Sequence, residues 1–122
     1  MYAYYIITMN QFYCHSIIIK GASILIEAGA DVNFKSTVGQ TSLMLCSMKG
    51  DSDTALILIK AGCIIDSIDN NGDSALHFST RFNKKNVETI LLSNGADRTI
   101  KNLNNQTPYD YQAAEITNLS YE

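Results

Sequence analysis

The stretch ILIEAGADVN at residues 24–33 returns, altered, as ILIKAGCIID at 57–66 and as ILLSNGADRT at 90–99, each copy 33 positions after the last. Three echoes at one step in a chain of 122 residues point to stacked copies of a single supersecondary unit. In every copy an apolar run leads into a glycine: Gly29, Gly62 and Gly95. An apolar stripe that stops at glycine marks the end of an amphipathic helix.

The register extends beyond the echo. Superposing 34–66 on 67–99 aligns Gly39 with Gly72, Leu43 with Leu76 and Leu58 with Leu91, and Thr41, Ser74 and Thr107 form a further row. The segments TSLMLCSM (41–48) and SALHFSTR (74–81) begin with a hydroxyl that can cap a helix. Their centres are small, with Cys46-Ser47 and Ser79-Thr80 followed by Ala113-Ala114 one period later, as a helix pressed between neighbours requires. DSDTALILIKAG (51–62) and NKKNVETILLSNG (83–95) open on Asp51 and Asn83 as N-cap candidates and read as second helices. Between Gly62 and Gly72 lies CIIDSIDNN, whose Asn71-Gly72 junction signals a tight turn. Each unit therefore reads as helix, turn, helix and an extended hairpin-like loop.

This period and order resemble the ankyrin repeat. GADVN (29–33), GADRT (95–99), NNGDSALH (70–77) and NNQTPYDYQAA (104–114) carry the resemblance, over about residues 22–116. Proline of the family signature occurs only at Pro108, with Ser42 and Ala75 in the equivalent slots. The resemblance implies an all-α solenoid of about three to four repeats joined by β-hairpin-like loops, in one domain spanning 1–122. Its expected divisions are a divergent N-terminal repeat at 1–33, repeats at 34–66 and 67–99, a half repeat at 100–116 and a tail at 117–122. It also implies that His77 is structural, bonding hydroxyls and loop backbone between repeats. In the family the concave surface usually binds protein partners, and the fold as such carries no catalytic chemistry.

Composition agrees with a folded module. Apolar residues make up 46% and charged residues 17%, far from the disordered range. A net charge of -3 argues against nucleic acid as the main partner. Arg81, Lys84 and Lys85 are the nearest approach to a basic patch, and they read as a solvated loop. Cys14, Cys46 and Cys63 are odd in number and widely spaced, which argues against a disulfide framework and against a metal site. Polar residues interrupt the greasy start before a membrane span accumulates, and it lacks a signal-peptide pattern; an end-capping helix is expected there. An intracellular, cytoplasmic location is expected. No nucleophile motif and no phosphate-cradling glycine loop is present, so neither catalysis nor a cofactor is expected.

Positions that point outward on the hairpins and inner helices have no packing duty, so apolar residues there suggest a partner surface. By register the candidates are Lys35, Thr37, Val38 and Gln40, then Met48 and Lys49, then Ile68, Asn70, Asn71, Asp73, Arg81 and Phe82, and finally Lys101, Leu103 and Gln106. Val38, Met48, Ile68 and Phe82 would form an apolar strip edged by Lys49, Asp73, Arg81 and Lys101; the alternative for Met48 and Phe82 is that they tuck under the turn as local packing. Gly29, Gly39, Gly62, Gly72, Gly95 and His77 are assigned to structure. The leading expectation is a non-enzymatic protein-interaction module, monomeric or weakly self-associating through open repeat ends. The alternative is a regulatory or targeting fragment of a larger protein or enzyme. A weaker expectation concerns Asn33: Leu25 eight residues before it resembles the pattern around hydroxylated asparagines in this family.

Overall fold

The computed structural model describes residues 23–110. The expected end-capping helix within 1–21, the Ala113-Ala114 pair and the 117–122 tail lie outside these. Residues 23–27 are helical, and four helices follow: α1 (Ser42–Lys49), α2 (Ser52–Lys60), α3 (Ala75–Arg81) and α4 (Lys85–Ser93). α1 and α2 form one antiparallel pair and α3 and α4 the next. The pairs stack with α1 on α3 and α2 on α4.

Local chemistry starts each helix. Thr41 accepts from the Met44 amide and Ser74 from the His77 amide, while Met44 Sδ and His77 Nδ1 take the Thr41 and Ser74 amides in return. Two amides that a helix start would otherwise leave unpaired are thus satisfied at each end. Asp51 caps α2 by accepting from the Thr54 amide. Asn83, the expected cap of α4, does something else. It adopts φ 57° in the turn between α3 and α4, one period after Gly50 at φ 75°, and Lys84 is the N-cap, with no side-chain cap bond. The turn needs a left-handed residue at that position, and asparagine tolerates it. Its backbone duty displaces the capping one.

Burial separates the two kinds of helix. On α3 every residue from Ala75 to Thr80 is buried, and on α1 Ser42, Leu43, Met44, Cys46 and Ser47 are. The outer helices bury only a stripe, Thr54, Ala55 and Leu58 on α2 and Val87, Glu88 and Leu91 on α4, in one register 33 apart. Leu58 and Leu91, both at 0% exposure, anchor that stripe, and burial of each contributes about 2 kcal/mol. Small hydroxyls let the inner helices approach without unpaired polar atoms. Ser47 Oγ donates to the Leu43 carbonyl at 2.8 Å and Ser79 Oγ to the Leu76 carbonyl at 3.0 Å. Glu88 stands where Ala55 stands one repeat earlier. Tyr109 Oη donates to it at 3.1 Å and Lys85 Nζ lies at 3.1 Å, which lets a carboxylate sit in the stripe. Burial and then the Glu88 charge push the Tyr109 phenol above its ordinary pKa.

Away from the hairpins, the loops leaving the outer helices are tied to the next repeat. Asn33 Oδ1 accepts from the Ile64 amide at 2.7 Å, and Asp66 Oδ1 accepts from the Asp97 amide at 2.9 Å.

Candidate functional site

The hairpins are built by one rule applied three times. The amides of Ser36, Asp69 and Asn102 donate to the carbonyls of Gln40, Asp73 and Gln106 at 2.9, 3.0 and 3.0 Å. Each first residue also binds its own turn. Ser36 Oγ accepts from the Gln40 amide, Asp69 Oδ1 from the Asn71 and Asp73 amides, and Asn102 Oδ1 from the Asn104 and Gln106 amides. A short oxygen-bearing side chain at this position closes the loop on itself. An antiparallel bridge between Ile68 and Ser74 continues the middle hairpin toward α3.

Successive tips are laced together by backbone. The Asn70 amide donates to the Val38 carbonyl at 3.1 Å, and one period later the Leu103 amide donates to the Asn71 carbonyl at 3.0 Å. Side chains add to the lacing: Asn70 Nδ2 donates to the Thr37 carbonyl at 3.2 Å and Lys35 Nζ to the Ile68 carbonyl at 2.8 Å. The tips approach so closely that a Cβ on Gly72 would lie 3.0 Å from Asn102 Cα and 3.1 Å from Leu103 N.

His77 joins α3 to the third hairpin. It is fully buried, with Nδ1 accepting from the Ser74 amide at 3.1 Å and Nε2 at 2.9 Å from the Gln106 carbonyl. These partners assign a neutral ring with its proton on Nε2, because a carbonyl can only accept and an amide can only donate. Thr80 Oγ1 reaches the Pro108 carbonyl at 2.6 Å, a second tie across the same joint. In the preceding repeat the histidine slot is filled by Met44.

Between hairpin and inner helix runs a groove of about 540 Å³, lined by Asn71, Asp73, Arg81, Asn102, Leu103, Asn104 and Gln106. At its floor Arg81 Nη2 pairs with Asp73 Oδ2 at 2.9 Å, and Asn102 Nδ2 donates to Asp73 Oδ1 at 2.9 Å. The Arg81 guanidinium also lies 5.3 Å from the centroid of the Phe78 ring. Asp73, expected as a rim carboxylate, is instead 3% exposed and serves as the hub of this network. It can be buried because a cation and an amide compensate it on both oxygens.

The other candidates fall into two groups. Val38, Ile68, Phe82 and Leu103 expose large apolar side chains, Leu103 to 78%. Lys35, Lys49, Asn70 and Lys101 are exposed beside them, and Gln40 and Arg81 are half-buried. Met48 departs from the expected strip, since it is half-buried and packs against the core. Asn102 escaped the sequence reading, although its place one period after Asp69 in the loop-closing row marks it.

Among the described residues no cluster of His, Cys, Asp and Glu could hold a metal ion, and no helix is long and apolar enough to cross a membrane. Cys46 and Cys63 are free thiols. Burial raises both above the ordinary thiol range, Cys63 to about 11 and Cys46 further. Alkylation of the folded protein at pH 8, read residue by residue by mass spectrometry, is therefore expected to leave Cys46 unmodified. Cys63 should react slowly, with a rate that climbs roughly tenfold per pH unit until about pH 11, because the thiolate is the nucleophile. Fast modification of Cys46 under native conditions would contradict its burial.

Comparison with known proteins comes down on one family. A family model described as ankyrin repeats, in three copies, matches residues 15–102. An ankyrin repeat protein of variola virus, OPG189, is 33% identical over 87 residues, which are 70% of this chain and 16% of that protein. An L-asparaginase of Dirofilaria immitis is 36% identical over 78 residues, 61% of this chain and 13% of the enzyme. Neurogenic locus notch homolog protein 1 of Cricetulus griseus is 27% identical over 85 residues, 70% of this chain and 3% of that protein. The chain thus spans a small part of these relatives. Ankyrin repeats are in general protein-interaction modules and are typically non-catalytic. With its stacked helix pairs, laced hairpins and matched repeats, the chain belongs to the ankyrin repeat family.

Proposed function

We propose that the chain is a non-catalytic module that binds a partner protein through its hairpin tips and the concave face of α1 and α3. The observation that carries this reading is the exposure of Val38, Ile68, Phe82 and Leu103 on that face, where no packing role accounts for them. Leu103 lines the polar groove, and the exposed Lys35, Lys49 and Lys101 share the hairpins and inner helices with these side chains, the anatomy of an interface with apolar anchors and a charged rim. The free thiols of Cys46 and Cys63 suit a reducing, cytoplasmic setting. The proposed unit is one domain with repeats at 34–66 and 67–99, preceded by the divergent repeat at 1–33 and followed by the half repeat at 100–116.

Simultaneous substitution of Ile68→Asp and Phe82→Asp tests the face. Both side chains are exposed, at 43% and 47%, so the fold and its melting temperature should hold within a few degrees. Affinity for a partner captured with the wild type is expected to fall at least about a hundredfold, as for loss of two anchor residues. Undiminished capture by the folded variant would remove this face from consideration.

A second reading is favoured by the small share of each relative that the chain covers, 16% of the variola protein and 13% of the asparaginase. In it the repeats act as a regulatory or targeting segment within a longer protein. The binding face is the same, and the length of the natural polypeptide on a denaturing gel distinguishes the two.

A further inference from the structure

We propose that the partner segment is an acidic peptide with interspersed apolar side chains, held across the hairpins and α3; this rests on the reading of that face as the binding surface. The argument is the segregation of charge. From 34 to 49, from 67 to 82 and from 100 to 110 the hairpins and inner helices carry Lys35, Lys49, Arg81 and Lys101. The carboxylates in the same stretches are Asp69, Asp73 and Asp110. Asp69 and Asp73 are buried, Asp69 closing its own turn and Asp73 held by Arg81 and Asn102, while Asp110 is exposed and accepts from the Thr107 amide. The exposed charge on this face is therefore cationic on balance, although the chain as a whole carries -3.

Most of the exposed acids lie on the other side. Glu27, Asp31, Asp53, Asp66 and Asp97 are exposed on the outer helices and the loops that leave them, where Lys60, Lys85 and Arg98 are the exposed cations. The balance is negative there and positive at the hairpins, so an approaching acidic segment is favoured at the hairpins, within a screening length of about 8 Å at physiological salt.

The spacing of the cations adds chemistry to direction. Lys35, Ile68 and Lys101 occupy one row at intervals of 33, so an exposed isoleucine stands between two ammonium groups. Lys35 Nζ reaches the Ile68 carbonyl at 2.8 Å, which ties adjacent members of the row to each other. In the next row Lys49 stands beside Phe82, again a cation next to an exposed apolar side chain. A bound segment that sets an apolar residue on Ile68 or Phe82 and carboxylates on either side satisfies both features, whereas a basic segment meets like charge in both of these rows. A nucleic acid would find the cations but little stacking surface, with Phe82 the sole exposed aromatic ring on this face among the described residues.

Selection from a displayed random-peptide library against the purified full chain tests the proposal, with a synthetic copy of the best clone as the probe. Enriched clones are expected to be rich in Asp, Glu and large apolar residues. Lys35→Glu with Lys101→Glu, at two exposed positions, should weaken the probe by roughly tenfold or more in low salt and much less in high salt. Amide chemical shifts should move in residues 35–49, 68–82 and 101–106. Clones with no acidic excess that still perturb these residues would overturn the proposed chemistry and leave the binding face standing. Binders that perturb only α2 and α4, or no binders at all, would overturn both. Displacement of the probe by an equal concentration of single-stranded oligonucleotide would make the face a general polyanion site and overturn the peptide assignment.

Discussion

Replacing His77 with alanine is expected to destabilise the protein by about 3 kcal/mol, the sum of a cavity and an amide left unpaired in the interior. The ring is fully buried, and it satisfies the Ser74 amide on one side while donating to the Gln106 carbonyl on the other. Gln106 keeps one partner, since its carbonyl also accepts from the Asn102 amide, but Ser74 does not have a comparable second acceptor in its turn. The loss should appear in urea unfolding followed by circular dichroism as a lower midpoint with a similar slope. Because Gln106 lies in the third hairpin, hydrogen exchange should accelerate most at Asn102 and Gln106. A change under about 1 kcal/mol would mean that the joint between the last two hairpin units rests on Thr80 and Pro108 instead.

The second large effect concerns Gly72, and the comparison with Gly95 isolates its cause. Both residues have positive φ, 78° and 87°, so an alanine at either position carries a similar backbone penalty of about 1 kcal/mol. At Gly95 a Cβ meets nothing within 4 Å, whereas at Gly72 it meets the Asn102 and Leu103 backbone at 3.0 and 3.1 Å. Backbone cannot swing away as a side chain can, so Gly72→Ala should cost at least about 1 kcal/mol more than Gly95→Ala. The extra cost should also disturb the bond from the Leu103 amide to the Asn71 carbonyl, and with it the groove. Equal destabilisation by the two substitutions would show that tip-to-tip contact adds nothing to the conformational demand.

Much of this was legible because it is local. The 33-residue step, the hydroxyl caps at Thr41 and Ser74, and the glycines that end the outer helices depend on a residue and its near neighbours. Such features repeat whenever the unit repeats, and a period read along the chain exposes them. The outer helices' apolar stripe was legible for the same reason, since Leu58 recurs as Leu91, although Glu88 within that stripe was not.

The misreadings share the opposite cause. Asn83 looked like a cap because Asn commonly caps, yet the α3–α4 turn demanded a left-handed residue and took the asparagine for it. Asp73 looked like a rim charge because its register placed it on the hairpin. Its fate was decided by Asn102, 29 residues away, and by Arg81 on the adjoining helix. For Met48 the register left an outward position and local packing both open, and the fold decided for packing against the core.

By itself, then, the sequence determined the unit, its period, the order of its elements and the family, since each follows from short-range backbone preference and apolar spacing repeated along the chain. Only the tertiary structure decided which charges survive at the surface. Stacking buries Asp69 and Asp73 and leaves Lys35, Lys49 and Lys101 in solvent, so the exposed charges on the hairpins are lysines although the chain is net negative. The physical reason is that a carboxylate can leave water only where amides or a guanidinium replace its hydration, and those partners are supplied by the folding of the hairpins onto one another and onto α3.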